Sequence, residues 1–110
     1  MKFEELLENL RSIDNDLVNK YPLNSQKEAI MGAVLKLIEE TGEFANELLG
    51  SWSLQRKSKM GQYKQENLAK EWADVFFALC MIAFRLGVSP EQAVQTRLEE
   101  IKERQDQQDL

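Results

Sequence analysis

An unbroken run of ten apolar residues, from Val75 to Phe84, is the feature that most restricts the fold of this chain. The run is too short to span a bilayer as a helix. Apolar residues elsewhere in the chain recur at helical spacing, and no segment alternates cleanly with period two. The sequence therefore predicts an all-α fold with this run inside one of the helices.

A helix that is apolar on every side has to be covered on every side. Three further helices of similar size are too few to enclose the run completely. We therefore expect part of it to lie in the interface of a homo-oligomer. The alternative is a monomer in which the helix is fully enclosed.

Capping signals and breakers divide the chain into four predicted helices. The predicted boundaries are Lys2 to Asn19, Ser25 to Leu48, Asn67 to Leu86, and Ser89 to about Gln105. Short connections between such helices favour an antiparallel bundle. We expect a single domain over residues 1–110, arranged as an antiparallel four-helix bundle, with a flexible tail from about residue 105.

Composition excludes several classes of protein. The chain has 110 residues, a net charge of −5 and no histidine, and its one cysteine is Cys80. Because the chain has no histidine, Ser-His and Cys-His catalysis is ruled out, and we do not expect one of the usual zinc sites. An acidic chain is also a poor ligand for a nucleic-acid backbone. The N-terminus has no apolar signal-peptide region, so we expect a cytoplasmic protein that binds neither nucleic acid nor membranes.

Carboxylates form two pairs with i, i+3 spacing on different predicted helices, Glu40 with Glu43 and Glu71 with Asp74. Two such pairs facing one bundle interior would repel each other unless a cation lay between them. Oxygen ligands without histidine favour Mg²⁺, with Mn²⁺ as a substitute, and Mg²⁺ commonly takes phosphate oxygens as further ligands. The pattern therefore predicts a metal site for a phosphorylated substrate. The alternative is solvated surface charge, which we expect for Glu47.

The segment between the second and third helices carries positive charge that a phosphorylated substrate would need. Its candidate binding residues are Arg56, Lys57 and Lys59. Trp52 precedes them and offers a ring on which a base can stack. The alternative is a solvated loop whose Trp52 packs on the bundle.

Gly42 lies inside the second predicted helix, where glycine costs about 1 kcal/mol relative to alanine. A close approach by another backbone or by a ligand would explain this glycine. Chance tolerance is the alternative.

The stretches "EETGE" and "EWAD" together resemble the Glu-x-x-Glu and Glu-x-x-Asp signature of the MazG-like nucleoside triphosphate pyrophosphohydrolases. Between Glu43 and Glu71 lie 27 residues, and the similarity extends from about Val34 to Arg104. The resemblance implies an all-α enzyme that converts a nucleoside triphosphate to a monophosphate and pyrophosphate and helps to clean up nucleotide pools. Related members act on deoxynucleotides, on non-canonical nucleotides or on phosphoribosyl-ATP.

The resemblance also implies roles for individual residues. The metal ligands would be Glu40, Glu43, Glu71 and Asp74. Glu39 would orient or deprotonate the attacking water, so that Glu39 and the adjacent ligand Glu40 are the catalytic candidates.

In the last helix the family often has a Lys-x-x-x-Asn-x-x-Arg pattern that helps to bind the triphosphate. The matching residues here are Arg97, Ile101 and Arg104. The two arginines can contact phosphate, although with a geometry different from that of lysine. Ile101 cannot form the hydrogen bond of an asparagine, which leaves the substrate pose and the nucleotide preference open.

The sequence and the resemblance together predict a Mg²⁺-dependent nucleotide pyrophosphohydrolase that assembles as a homodimer or homotetramer. Two other functions compete with it. One is a helical interaction module without enzymatic activity, whose acidic residues are surface charge. The other is a nucleotide sensor that binds its ligand without turnover.

Overall fold

A computed structural model describes residues 1–21, 25–52 and 65–108 of the chain. This part of the chain is almost entirely α-helical and contains no β-strand. The helices are α1 (Phe3–Lys20), α2 (Gln26–Ser51), α3 (Gln65–Leu86) and α4 (Pro90–Gln108). The all-α prediction is confirmed, and each predicted helix boundary lies within three residues of the observed one.

Both predicted N-caps are present. The Ser25 hydroxyl accepts a hydrogen bond of 3.2 Å from the backbone N–H of Glu28, and α2 begins directly after it. The Ser89 hydroxyl accepts one of 3.3 Å from the backbone N–H of Gln92 at the start of α4. Each cap satisfies a donor that the helix itself leaves unpaired, which fixes where these helices begin.

Gly87 ends α3 in the left-handed region, with φ at +74°. We expect Gly87→Ala to lower the free energy of unfolding by about 1 kcal/mol, because L-residues are strained at this φ. No atom outside its immediate chain neighbours lies within 4 Å of the position that the new Cβ would take, so the cost is conformational. Urea unfolding measures it. The matched control Gly32→Ala, in open space within a helix, should stabilise instead, and equal effects for the two variants would contradict the prediction.

Helices α2 and α3 form an antiparallel hairpin. Near one end, Arg85 of α3 donates a hydrogen bond of 2.7 Å from Nη1 to the carbonyl of Ala29 in α2. Near the other end, carboxylate oxygens of Glu43 and Glu71 lie within 4.8 Å of each other. Residue numbers therefore rise along one helix as they fall along the other. This pairing places the two predicted carboxylate motifs side by side.

Helix α1 packs against the apolar run of α3. Leu7 and Leu10 of α1 are buried together with Cys80 of α3. Partly buried apolar side chains surround this cluster: Leu6, Phe76, Phe77, Met81 and Phe84. Cys80 therefore acts as a small buried hydrophobe.

Helix α4 does not close the bundle. It leaves α3 at an angle of 102°, and every residue from Gln92 to Gln107 is exposed. The antiparallel four-helix bundle predicted for one chain is thus incomplete, since α2 packs along α3 and α1 packs against α3, but α4 does not pack along them. No single helix in the described residues is long and apolar enough to cross a bilayer; α3 and α4 pass a length and composition test only when joined across that bend.

Candidate metal centre

Three carboxylates meet on the facing sides of α2 and α3. Glu40, Glu43 and Glu71 each offer one oxygen, and these oxygens all lie within 4.8 Å of one another. Glu40 is 8 % exposed, Glu71 is half-buried and Glu43 is open to solvent. The cluster therefore has a buried base and an open side, which a metal and its substrate could approach.

Two oxygens of this cluster have no hydrogen-bond partner. Glu40 Oε2 and Glu71 Oε2 are both buried and unpaired. A buried carboxylate oxygen without a partner carries a large desolvation cost. A hard cation bound between the two helices would remove that cost, because carboxylate oxygens are its preferred ligands. The residues present thus suit a divalent ion of the magnesium type.

The negative charge of the cluster also affects Glu43. Repulsion from the Glu40 carboxylate, reduced hydration and the charge of Glu71 raise the pKa of Glu43 above its usual value, in that order of importance. The raised pKa means that it is unfavourable for Glu43 to be ionised beside the other two carboxylates in the folded chain. Binding of a cation would reverse that effect.

Asp74, the fourth predicted ligand, lies outside the group of three. It lines a small cavity of about 160 Å³ together with Glu40 and Lys36. Phe77, Ala78 and Met81 complete the wall. Asp74 therefore shares a cavity with one ligand candidate, and its role as a ligand stays a prediction.

Lys36 is a basic group beside the cluster that the sequence analysis missed. Its Nζ lies 3.2 Å from Glu39 Oε1 and 3.1 Å from Glu40 Oε1. These two carboxylates raise the pKa of Lys36, with Glu40 the larger cause. The i, i+3 and i, i+4 spacing from Lys36 was the available sequence signal. Lys36 partly neutralises the site and holds Glu39 next to Glu40.

Glu47 differs from its expected position on the surface. It is half-buried, and its Oε2 atom is buried without a hydrogen-bond partner. It lies two helical turns after Glu40 on the same side of α2. The expectation of a fully solvated Glu47 is therefore wrong, because the residue lies on the side of α2 that also carries the buried Glu40.

Only some of the predicted substrate-binding residues belong to the part of the chain that the structure describes. Trp52 forms the C-cap of α2 and is 64 % exposed, so it is not packed on the bundle. Arg56, Lys57 and Lys59 lie outside the described residues. Arg97 and Arg104 are exposed on α4. None of these roles is tested by the positions of the residues.

Helix α4 lies far from the carboxylates of its own chain. From Asp74 to Leu86, α3 rises about 18 Å before α4 begins, and α4 then leaves nearly at a right angle. Arg97 is paired with Glu100 of the same helix, at 2.8 Å between Nη1 and Oε2. Within one chain, then, the structure does not bring the α4 arginines to the cluster.

Gly42 has no structural explanation within one chain. A Cβ built at this position would meet no atom within 4 Å. The described residues therefore provide no close approach of another backbone, and an approach by a ligand or a second chain stays a prediction.

We expect Glu43→Gln to raise the melting temperature of the metal-free protein at pH 7 and to leave it nearly unchanged at pH 4. A raised folded-state pKa gives stability that is full below the unfolded pKa and is lost as pH rises through the folded pKa. The uncharged amide removes this loss. Thermal unfolding without metal at both pH values measures it. Glu5→Gln, in the exposed first turn of α1, is the control, and a variant less stable than wild type at pH 7 would contradict the prediction.

Comparison with known proteins gives one match. The family model of the MazG nucleotide pyrophosphohydrolase domain matches residues 28–108, which include α3, α4 and nearly all of α2. No curated protein and no solved structure matches the chain.

Proposed function

Because the chain belongs to the MazG nucleotide pyrophosphohydrolase family, we propose that it hydrolyses a nucleoside triphosphate to a monophosphate and pyrophosphate with Mg²⁺. Members of this family generally depend on a divalent metal. The confirmed resemblance and the all-α fold support the reaction class. The choice of Mg²⁺ and of a triphosphate substrate is the proposal.

One observation carries the proposal. Glu40, Glu43 and Glu71 converge within 4.8 Å while two of their oxygens are buried and unpaired. Surface carboxylates would turn toward water rather than meet in this way. An arrangement that costs stability in the absence of a cation is typical of a functional site. This contrast favours the metal site over a helical module with acidic surface charge.

Different side chains would have different roles in the proposed reaction. Glu40, Glu43 and Glu71 would hold the metal, with Asp74 at the edge of the site. The ion would bind phosphate oxygens and offset the charge that develops on them. Glu39, which accepts a hydrogen bond from Lys36 at 3.2 Å, would orient the attacking water and accept its proton. Mn²⁺ would support the same role as a hard divalent ion.

We also propose that the protein works as a homodimer or homotetramer. The radius of gyration is 17.7 Å, whereas a compact chain of this length has about 13 Å. Large apolar side chains on all four helices are exposed, among them Leu35, Trp72, Leu79 and Leu98. A second copy would cover such surfaces. Cytoplasmic localisation and the lack of binding to nucleic acid or membranes stay predictions.

A panel of common ribo- and deoxynucleoside triphosphates, incubated with Mg²⁺ and assayed for both pyrophosphate and monophosphate, tests the reaction. The proposal expects stoichiometric release of the two products from at least one substrate, and loss of Mg²⁺ binding in Asp74→Asn. No turnover of any nucleotide together with unchanged Mg²⁺ binding in Asp74→Asn would refute it. Tight nucleotide binding without products would instead identify a sensor.

A further inference from the structure

Lys36 forms two ion pairs at the candidate metal centre. Its Nζ lies 3.1 Å from Oε1 of Glu40 and 3.2 Å from Oε1 of Glu39. Within residues 1–21, 25–52 and 65–108, no other ion pair involves either of these carboxylates, Glu43 or Glu71. Lys36 therefore supplies the counter-charge that this part of the chain gives to the site.

This single ammonium group leaves the site short of positive charge. Glu40 Oε2 and Glu71 Oε2 are buried without a hydrogen-bond partner, although Lys36 holds Oε1 of Glu40. A divalent cation carries twice the charge of an ammonium group and takes several carboxylate oxygens at once. Both cations would use Glu40, and at short range they repel each other. Lys36 and a divalent cation would therefore compete for the same carboxylate.

The Lys36 side chain can leave Glu40 without a change in the backbone of α2. It is 52 % exposed, and the four-carbon stem of a lysine is flexible. The cavity of about 160 Å³ that Lys36 lines with Glu40 and Asp74 gives the ammonium group room to move. Glu39 is the residue next to Glu40 and its side chain is 58 % exposed, so the same ammonium group can keep that contact.

We propose that Lys36 is an exchangeable counter-ion of the metal site: it holds Glu40 in the metal-free chain, releases it when a divalent cation binds, and stays on Glu39. In the metal-bound chain Lys36 is then a positioning residue, because it keeps the Glu39 carboxylate beside the site. The inference rests on the proposed function for the identity of the ion and for the role of Glu39 toward water. The exchange itself concerns metal binding and does not depend on turnover.

Crystal structures of the protein without and with Mg²⁺ test the exchange directly. The proposal expects Lys36 Nζ within about 4 Å of a Glu40 oxygen only in the metal-free structure, and within about 4 Å of a Glu39 oxygen in both. An ammonium group that stays on Glu40 beside the bound ion would overturn the proposal.

Calorimetric titration with Mg²⁺ measures the competition. Lys36→Met should bind Mg²⁺ about threefold to tenfold more tightly than wild type, because the competing charge is gone. The same variant should melt at a lower temperature without metal, because the carboxylates lose their counter-ion. Lys36→Arg keeps the charge and should stay near wild type, and Lys27→Met, in the exposed first turn of α2, should leave Mg²⁺ affinity unchanged. Unchanged or weaker Mg²⁺ binding by Lys36→Met would contradict the exchange.

Turnover tests the positioning of Glu39. At saturating Mg²⁺, kcat of Lys36→Met should fall about tenfold although the metal binds more tightly, and Lys36→Arg should restore most of it. General damage to the site would weaken metal binding and turnover together, so the opposite signs identify the role of Lys36. Wild-type kcat in Lys36→Met would remove the positioning role. If wild type binds Mg²⁺ but hydrolyses no nucleotide, the proposed function fails, and the titration and the two structures still decide the exchange. A wild type that binds no Mg²⁺ would overturn both.

Discussion

Replacing Glu71 by glutamine is expected to lower kcat for pyrophosphate release by about 10³-fold, while the fold stays intact. The amide has the size of the carboxylate but lacks its charge, and it binds hard cations weakly. Glu71 contributes one of the three converging oxygens, and its Oε2 atom is buried without a hydrogen-bond partner. Kinetics across a range of Mg²⁺ concentrations and calorimetric titration with Mg²⁺ measure the loss.

The matched control for this prediction is Glu66→Gln. Glu66 lies in the first turn of the same helix and is exposed, so its charge is solvated and only the helix dipole is affected. We expect wild-type kcat and Mg²⁺ affinity for the control. A Glu71→Gln protein with wild-type turnover would show that the converging carboxylates are not the catalytic metal site.

Local sequence signals were sufficient for the helices. Hydroxyl caps at Ser25 and Ser89 and the glycine at position 87 act through contacts within a few residues, and all three are observed. The carboxylate motifs are likewise local, because i, i+3 spacing places each pair on one side of its helix. The two motifs lie next to each other because α2 and α3 pack in antiparallel orientation. A short sequence pattern does not determine that packing.

The sequence did not predict contacts between residues that are far apart in the chain. Asp14 has the appearance of an ordinary surface acid in a polar stretch of α1, but it is buried. Its partner Arg85 is 71 residues away, so no local pattern links the two. The direction of α4 was also missed, because the connection after Gly87 permits either a return along the bundle or a departure from it. Such choices depend on which surfaces can be buried, including those of a second copy.

The two ends of the α2–α3 hairpin differ in whether their charged side chains have partners. At one end, Arg85 pairs with Asp14 and also donates to the Ala29 carbonyl, so the buried charges satisfy each other. At the other end, Glu40 and Glu71 keep buried oxygens without partners. The first end is therefore complete within one chain. The second is not, which is the reason to propose a functional site there rather than at the ion pair.

Removing one member of the buried pair is expected to have the largest effect on stability. Asp14 is 2 % exposed and lies 2.9 Å from Arg85, measured from Oδ1 to Nη2. We expect Asp14→Ala to lower the free energy of unfolding by about 3–5 kcal/mol, because Arg85, whose side chain is only 15 % exposed, then keeps its charge without a counter-ion. Small domains have roughly 5–15 kcal/mol in total, so a large part of the stability would be lost. Urea unfolding at one fixed protein concentration measures it.

Two further variants separate the ion pair from simple truncation. Asp16→Ala removes an exposed carboxylate from the same helix and should change the unfolding free energy by less than about 0.5 kcal/mol. Asp14→Leu combined with Arg85→Met replaces both charges by apolar side chains and should recover most of the loss, since an unpaired buried charge costs more than a missing pair. If the double variant is as unstable as Asp14→Ala, the loss comes from the hydrogen bond to Ala29 or from packing. The pair would then hold α1, α2 and α3 together by geometry rather than by charge balance.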